Sequence, residues 1–208
     1  QSRVGGRVYT MREPFSDGLY AGVGAMRLPR THHLTMAYID KFKIKTSPFT
    51  MGNPRAYYYL NGRKFRKADA DANPDSLGFD LAPPERGKAA DQLWAAAIMP
   101  IVKKLEREGQ AAWSEITAQY DQHSLREFLE SNHWSEGAIE MFGLLADQEA
   151  LLNSSFLELL REEVGNYYTN MIEIEGGTDH LPRAFLPDLK HQIRFGAKMI
   201  AIDQSPEL

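Results

Sequence analysis

Between Thr31 and Phe42 the apolar positions Leu34, Tyr38 and Phe42 recur every four residues, which predicts a helix. Ahead of it, Val4-Gly5-Gly6-Arg7-Val8-Tyr9-Thr10 reads as a loop feeding a short strand. Asp17-Gly18-Leu19-Tyr20 reads as a turn, and the small residues Ala21 to Ala25 lead into Met26-Arg27-Leu28-Pro29. Further on, Ala56-Tyr57-Tyr58-Tyr59-Leu60 and Lys64-Phe65-Arg66 flank Asn61-Gly62, the favoured two-residue hairpin turn. Residues 67–84, rich in Asp, Asn and Pro, read as a loop. The pattern then changes. Leu93, Ala97, Ile101 and Leu105 form one stripe of a long helix that starts after Glu85 and ends near Gly109. Ser124-Leu125-Arg126-Glu127 has capping-box spacing, and further helices are expected after Trp134-Ser135 and from Gln148 to Val164. Met171 to Glu175 alternates like a strand that Gly176-Gly177 breaks. Leu181 to Leu189 suits a helix, and Ile193-Arg194-Phe195 and Met199 to Ile202 suit short strands. The order is mixed, then helical over about 67–167, then mixed again, which predicts an α/β body carrying a helical insertion.

Composition narrows the class only a little. At 208 residues, with 43% apolar and 25% charged content, the chain reads as an ordinary soluble globular protein. A net charge of -4 gives no basic surface for nucleic acid. No apolar run approaches the roughly 20 residues of a membrane helix. Cysteine is absent, which removes disulfides and thiol chemistry without fixing a compartment. Gln1 is no initiator and no signal peptide follows it, so both ends are read as cut and the chain as an internal piece.

Two short segments carry candidate chemistry. In Gly5-Gly6-Arg7 the glycines allow a close backbone approach, and an arginine fork binds phosphate oxygens through paired hydrogen bonds. An ordinary turn with a surface Arg is the plainer alternative. In Gly22-Val23-Gly24-Ala25-Met26-Arg27 bulk is removed for several residues before one long cation is presented, which suits a backbone lying against a flat ligand with Arg27 aimed at a carboxylate. A tightly packed strand with a surface Arg is the plainer reading here. Asp69-Ala70-Asp71-Ala72-Asn73 starts like a calcium loop, but Pro74 replaces the required glycine and Asp80 the bidentate Glu, so no metal is assigned. His32 and His33 are adjacent and point about 100° apart on a helix, so they do not chelate together. Arg63, Lys64, Arg66 and Lys67, and the carboxylates Glu158, Glu162 and Glu163, read as solvated faces.

Together the segments resemble the flavin-containing L-amino acid oxidases, a branch of the amine oxidase superfamily. The resemblance runs through Arg3-Val4-Gly5-Gly6-Arg7-Val8, Gly18-Leu19-Tyr20-Ala21, Gly24-Ala25-Met26-Arg27-Leu28-Pro29, Tyr38-Ile39-Asp40-Lys41-Phe42 and Ile174 to Pro182. It implies part of an FAD-binding dinucleotide fold with a substrate-binding sheet and the helical insertion. The implied segments are FAD-binding at 1–9 and 180–208, substrate-binding at 10–66 and 168–179, and helical at 67–167. The resemblance also implies that Arg7 neutralises the FAD pyrophosphate beside Gly5 and Gly6. Gly24, Ala25, Met26 and Arg27 would line the isoalloxazine ring, Arg27 would hold the substrate α-carboxylate, and the Met199 backbone would contact the adenine half. Implied partners are an L-amino acid, dioxygen, the remaining segments of the parent chain and a second copy in a homodimer, with the helical block walling the substrate entry. The implied reaction is oxidative deamination to a 2-oxo acid, ammonia and hydrogen peroxide. Two departures stand out: Gly22 replaces an acidic residue of many relatives, and Glu162 aligns where the snake-venom enzymes place an active-site His. No catalytic His is carried over. The Gly-x-Gly-x-x-Gly turn should lie upstream of Gln1, and the lysine-bound water and aromatic walls downstream of Leu208.

Overall fold

The computed structural model describes residues 2–165 and 167–204. The chain is mixed α/β and forms two compact units. One unit takes the residues up to Met51 and those from Thr169 on, and the other spans Gly52–Tyr168.

In the first unit β1 (Thr10–Met11) pairs antiparallel with β2 (Ala21–Gly22), and β3 (Leu28–Pro29) follows at once. The expected helix forms as α1 (His33–Lys41), but on a different face from the sequence stripe. Leu34 is 81% exposed, whereas Ile39 is buried among Ile172 and Ile174. Tyr38 and Phe42 instead pack their rings on Phe185, with centroids 4.9 and 4.7 Å apart. Next comes β4 (Thr46–Pro48).

The second unit opens with the expected hairpin, β5 (Tyr57–Leu60) and β6 (Arg63–Arg66). Asn61 and Gly62 both adopt the positive φ of a tight two-residue turn. Its cations lie on aromatic faces: Lys64 and Arg66 sit over Tyr57, and Arg63 over Phe65. Residues 67–84 are not all loop: α2 (Lys67–Ala72) and a 3-10 turn (Pro74–Leu77) form there. Three alanines, an acidic first turn and the Lys67–Asp71 pair at 3.3 Å favour helix, and burial of Ala70 holds it. Then α3 (Ala90–Glu108) buries Leu93 and Leu105 of its predicted stripe together with Ile98 and Val102. Pro100 sits inside this helix at an exposed position, where it cannot donate the i→i−4 hydrogen bond.

Gly109 turns the chain into α4 (Gln110–Tyr120), and the predicted capping box starts α5 (Leu125–Ser131). There the Ser124 hydroxyl accepts from the Glu127 amide, and the Glu127 carboxylate accepts from the Ser124 amide. Ser135 caps α6 (Glu136–Leu145). The helix expected over Gln148–Val164 is interrupted: a 3-10 turn at Glu149–Leu151 precedes α7 (Phe156–Val164). Asn153, Ser154 and Ser155 break it because the backbone there serves a neighbour. Leu125 and Arg126 donate to the carbonyls of Ser154 and Leu152, and Phe156 donates to that of His123.

The chain then returns to the first unit through β7 (Met171–Ile174), which pairs antiparallel with both β3 and β4. The expected helix over Leu181–Leu189 is two short ones, α8 (His180–Ala184) and α9 (Leu186–Leu189), with Pro187 at the start of the second. No strand forms over the described residues from Ile193 to Gln204, contrary to expectation. Met199, Ile200 and Ile202 are 74, 91 and 71% exposed. A strand needs a ladder partner, and no described segment of this chain pairs with them.

The packing of the second unit centres on Phe128 and Phe156, which are fully buried and stacked with centroids 3.7 Å apart. Trp94 and Tyr120 present their edges to Phe128. Phe128→Ala should therefore cost about 3–5 kcal/mol, read as a lower urea midpoint at unchanged m-value.

Glu85 anchors the start of α6. It is buried and accepts from the Ala82 amide (2.8 Å), the Ser135 amide (2.8 Å) and the Ser135 hydroxyl. Burial pushes its pKa up, but the hydrogen bonds from Ser135 and Ala82 and the charge of Lys88 outweigh this, so it lies below the ordinary value. A depressed carboxylate stabilises above its unfolded pKa, and the contribution disappears as pH falls through the folded one. The Tm deficit of Glu85→Gln should thus be widest at neutral pH and shrink below roughly pH 4. A deficit independent of pH would assign the effect to packing instead.

Candidate functional site

The Gly5-Gly6-Arg7 segment is a tight turn. The Val8 amide donates to the Gly5 carbonyl at 2.7 Å, and both glycines take positive φ (96° and 51°). A Cβ at Gly5 would stand 2.6 Å from the Val8 carbonyl oxygen, so glycine is required there. Arg3 folds beneath the turn: its guanidinium donates to the carbonyls of Gly6 (2.7 Å), Val4 (3.2 Å) and Val8 (3.3 Å) and stacks 4.4 Å from the Tyr9 ring centroid. The turn's carbonyls are thus occupied from within. Among the described residues the amides of Gly6 and Arg7 have no backbone acceptor, and the Arg7 side chain is exposed. Amides without a backbone acceptor and a nearby guanidinium at a glycine turn are groups that suit an anion.

The second segment lies directly alongside. Beyond the β1–β2 pairs, the Val23 amide donates to the Tyr9 carbonyl (3.1 Å) and the Ala25 amide to the Arg7 carbonyl (3.3 Å). A cofactor-lining role aside, the small residues here answer first to the chain itself. A Cβ at Gly24 would collide with the Arg7 carbonyl oxygen, and one at Gly22 would stand 2.8 Å from the Met26 Cβ. The outer side of the run is apolar: Val23 is 50% and Met26 47% exposed, with Ala25 between them. This narrow ledge begins beside the Gly-Gly-Arg turn and ends at Arg27.

Arg27 is half-buried, with its guanidinium 5.8 Å from the Phe49 ring centroid and its Nη1 3.7 Å from the Met51 sulfur. Phe49 is itself held by its amide, which donates to the Met171 carbonyl at 3.0 Å. A small cavity of about 130 Å³ opens next to the ledge between Tyr20, Met26, Phe49, Ile174 and Thr178. An aromatic ring and a thioether beside it favour a planar, weakly hydrated cation such as guanidinium.

Met199 does not join this group. It lies in the strand-free tail, and no backbone hydrogen bond among the described residues links its stretch to the glycine segments. The carboxylates of α7 also have local duties. Glu162 accepts from the Tyr168 hydroxyl at 2.5 Å, Glu163 accepts from the Trp94 indole at 2.8 Å, and Glu158 lies 3.8 Å from Arg161.

Sequence reasoning missed one group, Thr10, Arg12, Tyr20 and Asp179. Arg12 makes a two-point pair with Asp179 (2.8 and 3.1 Å) and donates to the Gly176 carbonyl (2.7 Å). Arg183 approaches the same carboxylate at 2.9 Å. The Asp179 side chain is only 4% exposed. Burial pushes its pKa up, but hydrogen bonding from Arg12 and the charges of Arg12 and Arg183 outweigh this, leaving it below the usual carboxylate value. Arg12 and Asp179 are 167 positions apart, so no local pattern signals the pair.

Comparison with known proteins supplies the family. YobN of Bacillus subtilis (strain 168), provisionally named an L-amino-acid oxidase, is 41% identical over 203 residues, which cover 97% of this chain and 42% of that protein. The L-amino-acid oxidases of Crotalus adamanteus and Pseudechis australis are 34% and 32% identical over 207 residues, covering 98% and 99% of this chain. The match takes in 39% of the length of each snake protein, so this chain spans about two fifths of the relatives it matches. The family described as flavin containing amine oxidoreductase matches residues 1–207. With the glycine turn, the ledge and Arg27 contiguous in one unit, the chain belongs to the flavin-containing amine oxidoreductases.

Proposed function

We propose that this chain is the part of an L-amino acid oxidase that carries one side of an FAD site and the anchor for the substrate carboxylate. The observation that carries the reading is the hydrogen-bonded adjacency of Arg7 and Ala25, which makes one continuous surface of the two motifs. That surface fits the group: amides without a backbone acceptor among the described residues, together with a cation, suit a pyrophosphate, and a shallow apolar ledge suits a flat ring system. Gly5, Gly6 and Arg7 would hold the diphosphate, and Gly24, Ala25, Met26 and Arg27 would line the ring. The Met199 backbone would touch the adenine half.

When bound, FAD supplies the oxidant for the Cα–N bond, with dioxygen as final acceptor. Arg27 pairs with the α-carboxylate of the L-amino acid and so fixes which face of Cα is presented. Restricting that orientation contributes to the rate by removing unproductive arrangements. The net reaction balances as L-amino acid, dioxygen and water giving 2-oxo acid, ammonia and hydrogen peroxide. Glu162, hydrogen-bonded to Tyr168, is assigned no proton-transfer role.

The test uses the full-length protein carrying this sequence, assayed with the twenty L-amino acids. Flavin absorbance, with peroxide, ammonia and 2-oxo acid in equal yield from at least one amino acid, is the expected result. Product carboxamide with carbon dioxide would indicate a monooxygenase, and a colourless, inactive protein would leave only the fold. Light scattering on the same preparation tests the homodimer that belongs to this proposal.

A further inference from the structure

Arg27 lies where two separate sheets meet. Residues Val23 and Ala25 extend the β1–β2 ladder on its N-terminal side, while Leu28 and Pro29 pair with Ile172 and Met171 on its C-terminal side. Only Met26 and Arg27 separate the last hydrogen bond of one ladder from the first pair of the other. The direction in which the Arg27 side chain leaves the backbone therefore depends on the angle between these two sheets.

A cross-tie joins the two sheets. Arg12, the residue directly after β1, grips Asp179 with both arms of its guanidinium and the Gly176 carbonyl with one of them. Gly176 and Asp179 lie in the turn that leaves β7. The same junction is closed by the Asp179 amide, 3.4 Å from the Thr10 hydroxyl, and by the Gly176 amide, 3.2 Å from the Tyr20 hydroxyl. Thr10 also presses on Gly177, where φ is +113° and a Cβ would lie 2.8 Å from the Thr10 Cβ. A planar fork gripping two oxygens resists rotation about the contact, whereas an ammonium pivots on it.

We infer that the Arg12–Asp179 pair is a positioning device that fixes the aim of Arg27 at the substrate carboxylate. The inference rests on the reading of Arg27 as the carboxylate anchor. Neither Arg12 nor Asp179 touches substrate in this scheme; they act through the sheet junction.

The experiment uses the full-length protein with Asp179→Asn, Arg12→Lys and Arg27→Ala, alone and combined. Asp179→Asn should retain the wild-type flavin-to-protein ratio and raise KM for the preferred amino acid about tenfold, with Arg12→Lys giving a smaller rise in the same direction. Adding Asp179→Asn to Arg27→Ala should lower kcat/KM by less than about twofold, because the group being aimed is already gone. An equal loss in both backgrounds would mean general loosening and would overturn the inference. So would an unchanged KM in flavin-replete Asp179→Asn. Should Asp179→Asn fail to accumulate as folded protein, Arg12→Lys decides by the same two criteria. If Arg27→Ala alone leaves KM unchanged, the carboxylate reading fails first and the positioning role with it.

Discussion

Arg27→Ala in the full-length protein should raise KM for its preferred L-amino acid by roughly 100-fold, the loss of about 3 kcal/mol from a charge-assisted pair in a partly desolvated setting. The size follows from the surroundings: Arg27 is half-buried beside Phe49 and Met51, where solvent screens a carboxylate pair less than on an open surface. Flavin content should stay close to wild type, because the diphosphate contacts are assigned to Arg7 and the Gly5-Gly6 backbone. Arg27→Lys should recover only part of the loss, since an ammonium keeps the charge but not the paired hydrogen bonds of a guanidinium. Steady-state kinetics with the amino acid and with the corresponding amine lacking the carboxylate separate the cases. Should both substrates suffer alike, Arg27 does something other than bind the carboxylate.

A single methyl group at Gly24 should be about as damaging, by a different route. The Cβ of Gly24→Ala would occupy the space of the Arg7 carbonyl, and the atom in the way is backbone, not the end of a mobile side chain. The two segments must separate, breaking the Ala25–Arg7 hydrogen bond that makes the turn and the ledge one surface. Overpacking of this kind costs about 1–3 kcal/mol or more. The expected result is a lower Tm together with loss of most bound flavin on gel filtration. Gly52→Ala is the matched control: nothing lies within 4 Å of its Cβ and its φ is not positive, so it should behave as wild type. A Gly24→Ala protein that keeps its flavin and its Tm would show that the two motifs do not depend on each other.

Much of the local structure could be read from local patterns. The Asn61-Gly62 hairpin and the Ser124–Glu127 capping box formed as their residues predict, because each is decided by neighbours a few positions apart. The same locality explains the failures. Periodicity marked α1 correctly but not its buried side, since Leu34 and Ile39 are about equally apolar and only β7, with Ile172 and Ile174 for Ile39 to meet, decides which is covered. The Asp-rich stretch after Lys67 looked like a loop because burial of Ala70 could not be foreseen. The apolar run Met199 to Ile202 has strand-like composition without a described partner to pair with.

For the site, the residues alone singled out Gly5, Gly6, Arg7 and Gly24 to Arg27, since glycine pairs and lone cations are unusual enough to be noticed in sequence. Composition likewise established a chain without cysteine and with a net charge of -4. Tertiary structure decided that the two segments touch, that Gly24 is small for the sake of Arg7's carbonyl, and that Arg12 reaches Asp179 across 167 positions. The physical reason is range. Turn geometry, capping and helix periodicity act over a few residues and are written locally, whereas a backbone–backbone approach or a buried ion pair depends on which distant segments the packed core brings together.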